Sequence, residues 1–105
     1  MEKNYPLVFD DIILKQLQQA GKNALLRTLL SKIFDKIEEL GPQAGDLVDS
    51  QLFIYEIKMK RPPLRVYYKH NKATDEIYLF EYEMKTSEKK QKQTIRKIRK
   101  KVLEP

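Results

Sequence analysis

Basic side chains recur at alternate positions in two segments whose pattern is typical of β-strands. Lys58 and Lys60 alternate with apolar residues in the first segment, and Arg65 and Lys69 flank Tyr67 in the second. Successive side chains of a strand point to opposite faces, so these five residues share one face if the two strands are neighbours. Such a group has the chemistry to bind RNA, because phosphates neutralise the cations and an unstacked base stacks on the ring.

A purely structural role for these cations is the alternative interpretation. Glu56, Glu81 and Glu83 occur in the same strand segments and would neutralise the cations as cross-strand ion pairs. The pattern alone leaves both interpretations open.

A second group of cations lies near the C-terminus. Residues 85–101 contain seven lysines, two arginines and one glutamate, whereas the net charge of the whole chain is +6. The rest of the chain is therefore slightly acidic. A basic block favours a polyanionic partner such as nucleic acid, although a lysine-rich helix that is merely solvated has the same composition. Its apolar stripe is narrow and lacks tryptophan, so we expect no membrane binding. The residues that we predict to bind RNA are Lys60, Tyr67, Lys69, Lys89, Lys90, Lys92 and Arg96.

The composition excludes several kinds of site. The chain has no cysteine and one histidine, which rules out disulfides and thiolate metal sites, and we expect neither a metal nor another cofactor. His70 lies in or beside a predicted turn and is expected to be an ordinary surface residue. No apolar run approaches the roughly 20 residues of a membrane span, and the N-terminus lacks the pattern of a signal peptide, which predicts a cytoplasmic protein. The length of 105 residues predicts a single domain, 1–105.

Apolar periodicity predicts which elements carry these cations. Residues 5–9 have the pattern of a short edge strand, followed by a helix that Asp10 or Asp11 caps and Gly21 ends. A second, strongly amphipathic helix ends at Gly41. After a loop, the period changes from about 3.6 to 2, which predicts antiparallel strands at 52–60, 64–70 and 76–85. Ser87 then caps a basic C-terminal helix.

This order, β-α-α-β-β-β followed by a basic helix, predicts an α+β fold in which two N-terminal helices pack on a mostly antiparallel sheet. We expect Phe53, Tyr55, Ile57 and Met59 to face those helices and the opposite face of the sheet to remain open. The faces of the third long strand cannot be assigned from the pattern, because either set of alternating residues is suitable for the interior. The C-terminal helix is expected to dock through Ile95, Ile98 and Val102.

Two short strand motifs precede the lysine-rich segment: YEIKM at 55–59 and LRVYY at 64–68. Their order and spacing resemble the RelE-like toxin superfamily, and the phage-derived HigB-like branch is nearest. The lead helices and the loop with Gly45 fit that branch as well, so the resemblance covers nearly the full chain. It implies a RelE-like fold in a toxin that binds the ribosome and cleaves messenger RNA, with a cognate antitoxin as its partner.

The resemblance also implies catalytic roles for three residues. Arg65 matches the arginine that stabilises charge on the scissile phosphate. Lys58 matches a basic position that binds a phosphate or accepts the proton of the ribose 2′-hydroxyl. Lys85 matches a basic position that neutralises the transition state or protonates the leaving oxygen.

Four positions depart from the pattern of the RNA-cleaving members. Glu56 stands where they have a second lysine, Gln91 where a stacking tyrosine is expected, Phe80 where a histidine is frequent and Met84 where the first of two lysines occurs. Two other functions therefore remain open: a ParE-like, non-catalytic inhibitor of DNA gyrase, and a degenerate RNA-binding module.

Overall fold

The computed structural model describes residues 4–84 and 87–104. Its elements, in chain order, are β1 (Leu7–Phe9), α1 (Asp11–Ala20), α2 (Ala24–Leu40), a short 3-10 helix (Gly41–Ala44), β2 (Asp46–Asp49), β3 (Ile54–Lys60), β4 (Pro63–His70), β5 (Ile77–Met84) and α3 (Glu88–Leu103). The five strands form one sheet in the order β1-β5-β4-β3-β2, in which only the β1–β5 pair is parallel. The predicted α+β fold is confirmed. Within the described residues, no helix is long and apolar enough to cross a membrane.

The helices begin at the residues that the sequence predicts. Asp10 caps α1 by accepting a hydrogen bond from the backbone N–H of Ile12 at 3.1 Å. Ser87 caps α3 in the same way through the N–H of Lys90, also at 3.1 Å. A side-chain oxygen at this position satisfies one of the free N–H groups of the first turn. Local sequence therefore determines where these helices start.

Gly41 ends α2 in a conformation that favours glycine. Its φ is 56°, and a Cβ added there would lie 2.6 Å from the ring of Tyr5. Both the backbone conformation and the close approach of the ring require a residue without a side chain.

Each face of the sheet has its own core. On one face, α1 and α2 contribute Ile13, Leu30 and Ile37 to a cluster with Val66 and Tyr68. We call this face the α1–α2 side. On the other face, α3 packs Ile98, with Ile95 and Val102 beside it, against Ile54, Tyr67 and Phe80; we call it the α3 side. The predicted docking of α3 is confirmed, but the expectation of an open face is wrong, because the same docking covers it.

A bulge in β5 explains why its faces could not be assigned from the sequence. Tyr67 of β4 pairs with Glu81, whereas Tyr68 pairs with Leu79, so Phe80 has no partner on β4. One extra residue in a strand reverses the alternation of its side chains. Leu79 and Tyr82 therefore both pack on the α1–α2 side. Beyond the bulge the side chains alternate between the two faces again, beginning with Glu81 on the α3 side.

Two further expectations about β-structure are wrong. Residues 46–49 were expected to form a loop, but they form β2 and pair with β3 at the sheet edge. Aspartates have a low preference for strands, so only pairing with a neighbour identifies this element. Phe53 was expected to lie in the strand and face α1 and α2. Instead it precedes β3 in a turn with φ of 56°, and the Nζ of Lys72 lies 4.2 Å from the centre of its ring.

His70 is also placed differently from the expectation. It is buried at the end of β4, where its Nε2 lies 2.9 Å from Oδ1 of Asp75 and its ring contacts Tyr5 edge to face. The tight turn after β4 folds the aspartate back over the histidine. It is therefore a packed structural residue and not a surface residue.

Candidate functional site

Two rows of polar residues cross the central strands on the α3 side of the sheet. In the first row, Lys58 of β3 pairs with Arg65 of β4, which pairs with Glu83 of β5. The second row lies two residues away from the first on each strand. In it, Glu56 pairs with Tyr67, which pairs with Glu81. The register thus brings Lys58 next to Arg65, as the alternation of the sequence predicts.

Arg65 is enclosed, although it was expected on an open face. It is only 8% exposed, and its Nη1 lies 3.8 Å from Oε2 of Glu56. Its Nε and Nη1 have no hydrogen-bond partner among the described residues. Burying a guanidinium whose N–H groups are not all satisfied costs free energy, about 1–3 kcal/mol for each such group. The arginine is therefore held in place by the fold and is not fully neutralised by it.

The three glutamates of the two rows behave differently from one another. Glu56 accepts a hydrogen bond from Nε2 of Gln91 at 2.8 Å, and Glu81 forms an ion pair of 3.0 Å with Lys97. Both carboxylate oxygens of Glu83 are buried without a hydrogen-bond partner in residues 4–84 and 87–104. Among the described residues, the cross-strand ion pairing left open by the sequence is limited to Glu56 and Arg65, 3.8 Å apart, since Glu81 pairs with Lys97 of α3 instead. Cross-strand ion pairing does not account for Glu83.

Tyr67 lies between these charges and is completely buried. Burial raises the pKa of its hydroxyl, the negative charges of Glu83 and Glu56 raise that pKa further, and Arg65 offsets part of the increase. The phenol is therefore a neutral member of the site. A buried ring offers no surface on which a base could stack, so the structure does not bring Tyr67 to the position that the sequence predicts.

The remaining predicted RNA-binding residues lie on accessible surfaces. Lys60 is exposed and Lys69 is half-buried, and the first turns of α3 carry Lys89, Lys90, Lys92 and Arg96, all exposed. Lys58 is exposed as well. Lys85 lies outside the described residues. Among the residues that the structure describes, the predicted cations thus reach the surface, with Arg65 as the exception.

The basic segment separates into two faces once it is folded as a helix. Lys89, Lys92, Arg96 and Lys100 recur every three or four residues, so they share the face of α3 that points away from the sheet; we call them the outer ridge.

Three other cations of α3 bind carboxylates of the domain. Lys97 pairs with Glu81, Arg99 with Asp49, and Lys101 with Asp10. Burial alone would raise the pKa of the Asp49 carboxyl, but hydrogen bonds and the charge of Arg99 lower it below 3.8 overall. These pairs were not predicted, because no spacing in the sequence links residue 99 to residue 49.

Solved structures with the same arrangement of elements belong to a bacterial toxin. The isolated Escherichia coli RelE toxin superposes with a TM-score of 0.65 at 20% identity, over 90% of this chain and 98% of that one. The chain matched in the intact E. coli RelBE toxin–antitoxin complex gives 0.63 at 21% identity, over 79% and 99%. A RelE mutant bound to an antitoxin RelB peptide gives 0.60 at 20% identity, over 83% and 88%.

The chain has the RelE fold. No family model matches the sequence, and no curated protein matches it. At this level of identity, the similarity establishes the fold alone.

In this RelE fold, the first turns of α3 lie over the two polar rows. Gln91 reaches Glu56, and a cavity of about 430 Å³ opens beside Glu81, Glu83, Lys90 and Thr94. Its volume is in the range of sites that hold small ligands. Exposed cations on β3 and α3 therefore border a polar, partly enclosed cluster with a buried arginine.

Proposed function

We propose that this chain is the toxin of a toxin–antitoxin system and a ribosome-dependent endoribonuclease that cleaves messenger RNA in the cytoplasm. The observation that carries the proposal is the placement of Lys58 beside Arg65 on adjacent strands of a RelE fold. An exposed lysine next to a guanidinium whose positive charge is only partly neutralised is a suitable site for a phosphodiester.

The proposed chemistry is attack of a ribose 2′-hydroxyl on the adjacent phosphorus, which forms the O2′–P bond and breaks the bond to the 5′-oxygen. Arg65 stabilises the negative charge that develops on the phosphate oxygens. Lys58 binds the phosphate or accepts the proton of the 2′-hydroxyl. Lys85, predicted from the sequence alone, protonates the leaving oxygen or neutralises the transition state. One well-placed donor contributes about 3 kcal/mol to such a reaction.

RNA outside the reacting nucleotides is proposed to bind the half-buried Lys69 and the exposed cations Lys60, Lys89, Lys90, Lys92 and Arg96. On α3, the outer ridge is suited to a phosphate backbone because its charges point away from the sheet and form no ion pair with the described part of the chain. Replacing its four cations by glutamine is expected to reduce the slope of log affinity against log salt for single-stranded RNA by about 3. Filter binding over a salt series measures this slope, and an unchanged slope would contradict the assignment.

The proposed partner is a cognate antitoxin. Two of the matched RelE structures contain RelB or a RelB peptide, which supports the assignment without identifying the partner of this chain. Membership of the HigB-like branch remains part of the proposal and rests on the strand motifs. A neighbouring reading frame that encodes a small DNA-binding protein able to neutralise toxicity would support the toxin–antitoxin assignment.

A translation extract tests the nuclease directly. Wild-type protein is expected to cleave the messenger and stop synthesis, whereas Lys58→Ala should slow cleavage at least about tenfold. Lys36→Ala is the matched control, because it removes an exposed lysine from α2, on the opposite side of the sheet. An intact messenger with undiminished synthesis refutes the proposal.

A non-catalytic role is the second candidate, and the carboxylate of Glu56 beside Arg65 favours it, because it weakens the positive potential of the arginine. In that case the protein binds RNA without cleaving it, or acts on DNA gyrase as a ParE-like inhibitor. Salt-sensitive RNA binding without cleavage selects the first of these. Inhibition of gyrase supercoiling with the messenger intact selects the second.

A further inference from the structure

Within residues 4–84 and 87–104, Oε2 of Glu56 has two nearby donors, and it is hydrogen-bonded to one of them. Nε2 of Gln91 lies 2.8 Å away, whereas Nη1 of Arg65 lies 3.8 Å away. A charge-assisted hydrogen bond between arginine and carboxylate is normally about 2.7–2.9 Å long. In a buried site such a bond is strongly favoured, so the 3.8 Å separation requires a reason.

The neighbouring carboxylate does not satisfy the arginine either. Glu83 faces Arg65 across the β4–β5 pair, yet it forms no hydrogen bond with Nε or Nη1 of the guanidinium. Arg65 is thus flanked by two glutamates and still has two uncommitted nitrogens among the described residues. Both nitrogens are buried, so the 9% of the side chain that remains exposed lies on its other atoms, and an approaching group would meet the arginine there.

Gln91 is placed to maintain this state. It lies on the inner face of α3, near Ile95 and Ile98 in the helical repeat, and is half-buried. Its amide donates to the same carboxylate oxygen that Arg65 would otherwise engage. Without that donor, a small side-chain rotation would bring Glu56 onto Arg65, and the closer ion pair would neutralise the positive charge that attracts a phosphate to the exposed edge of the arginine.

We propose that Gln91 is a positioning residue that holds Glu56 away from Arg65 and so keeps the guanidinium available to a phosphate of the RNA. The inference rests on the proposed function and extends it to α3, whose seating on the sheet sets the state of the arginine. This role is exerted through Glu56 and requires no contact between Gln91 and the RNA.

The test is a double-mutant cycle in the cleavage assay. Gln91→Met removes the donor but keeps a side chain of similar length, and is expected to lower kcat at least about tenfold with a smaller change in KM. In a Glu56→Gln background the same substitution should have no effect on kcat, because a neutral amide cannot quench the arginine. Gln19→Met is the control, since Gln19 is an exposed residue of α1, on the opposite side of the sheet.

Equal losses from Gln91→Met in the two backgrounds, or no loss in either, would overturn the inference. A merely structural role of Gln91 predicts equal losses together with a lower melting temperature. If Gln91→Met does not fold, Gln91→Ala takes its place in both the wild-type and the Glu56→Gln backgrounds of the cycle.

A second measurement separates this inference from the proposed function. The Nε–H signal of Arg65 in a ¹⁵N-resolved NMR spectrum reports its hydrogen bonding without any RNA. Gln91→Met should shift that signal and slow its exchange with water, and adding Glu56→Gln should reverse both changes. If the wild type cleaves no RNA but these changes occur, the nuclease proposal fails and the positioning role stands; an unchanged signal overturns the positioning role.

Discussion

Replacing Asp10 by alanine should destabilise the domain strongly, because this carboxylate joins three elements. Its Oδ2 accepts from the N–H of Ile12 at 3.1 Å and from Nζ of Lys101 at 2.8 Å. Its Oδ1 accepts from the hydroxyl of Tyr78 at 2.9 Å. One buried side chain thus links the start of α1 to β5 and to the C-terminal half of α3.

The magnitude follows from the three interactions. Loss of an N-cap costs about 1 kcal/mol. The hydrogen bond from Tyr78 to a charged acceptor contributes about 1.5–2 kcal/mol. The side chain of Lys101 is 39% exposed, so solvent screening reduces its ion pair to about 0.5 kcal/mol. The expected loss is about 3 kcal/mol, or roughly 12 °C or more in Tm for a domain of this size.

The pH dependence gives an independent check. Burial raises the pKa of the Asp10 carboxyl, but hydrogen bonds from Lys101, Ile12 and Tyr78 outweigh it, so the pKa lies below the usual 3.8. A carboxyl whose pKa is lower in the folded state stabilises the fold above its unfolded pKa and loses that contribution as the pH falls through the folded value. The stability gap between wild type and Asp10→Asn, which keeps a cap but no charge, should therefore be constant above about pH 5 and shrink towards pH 2.

Urea denaturation followed by far-UV circular dichroism measures both effects. Lys101→Ala is the matched control and should cost no more than about 1 kcal/mol. A loss below about 1 kcal/mol for Asp10→Ala, or a gap to Asp10→Asn that does not change with pH, would refute the account of how α3 is held.

Three other substitutions test separate features of the fold. Tyr67→Phe should change the free energy of unfolding by less than about 1 kcal/mol, because the buried hydroxyl has no hydrogen bond to a described residue; a larger loss in urea denaturation would reveal a hidden partner. Arg99→Ala should cost about 1–2 kcal/mol and Lys100→Ala less than about 0.5, since only Arg99 binds β2; equal effects in the same assay would argue against the division of α3 into two faces. Gly41→Ala should cost about 3 kcal/mol through its positive φ and the contact with a ring, and a thermal scan showing no loss would contradict this.

The sequence by itself determined the local features of this protein. The caps at Asp10 and Ser87, the end of α2 at Gly41 and the alternation in β3 and β4 all depend on residues within one or two turns of each other. The pairing of Lys58 with Arg65 could also be predicted, because a tight turn connects their strands and sets the register.

Only the tertiary structure decided the features that depend on contacts between distant segments. The bulge at Phe80 leaves no local signature, since its residues fit either face of a strand. The edge strand β2 exists only because β3 offers it hydrogen bonds.

The side of the sheet that α3 covers decides the character of the candidate site. In the sequence, the basic segment is one continuous block of positive charge. In the folded protein, Gln91 and three cations of α3 contact carboxylates of the domain, and the outer ridge lies in solvent. Arg65 is enclosed for the same reason. Its residue type and strand position were predictable, whereas its burial depends on a helix that begins more than 20 residues later in the chain.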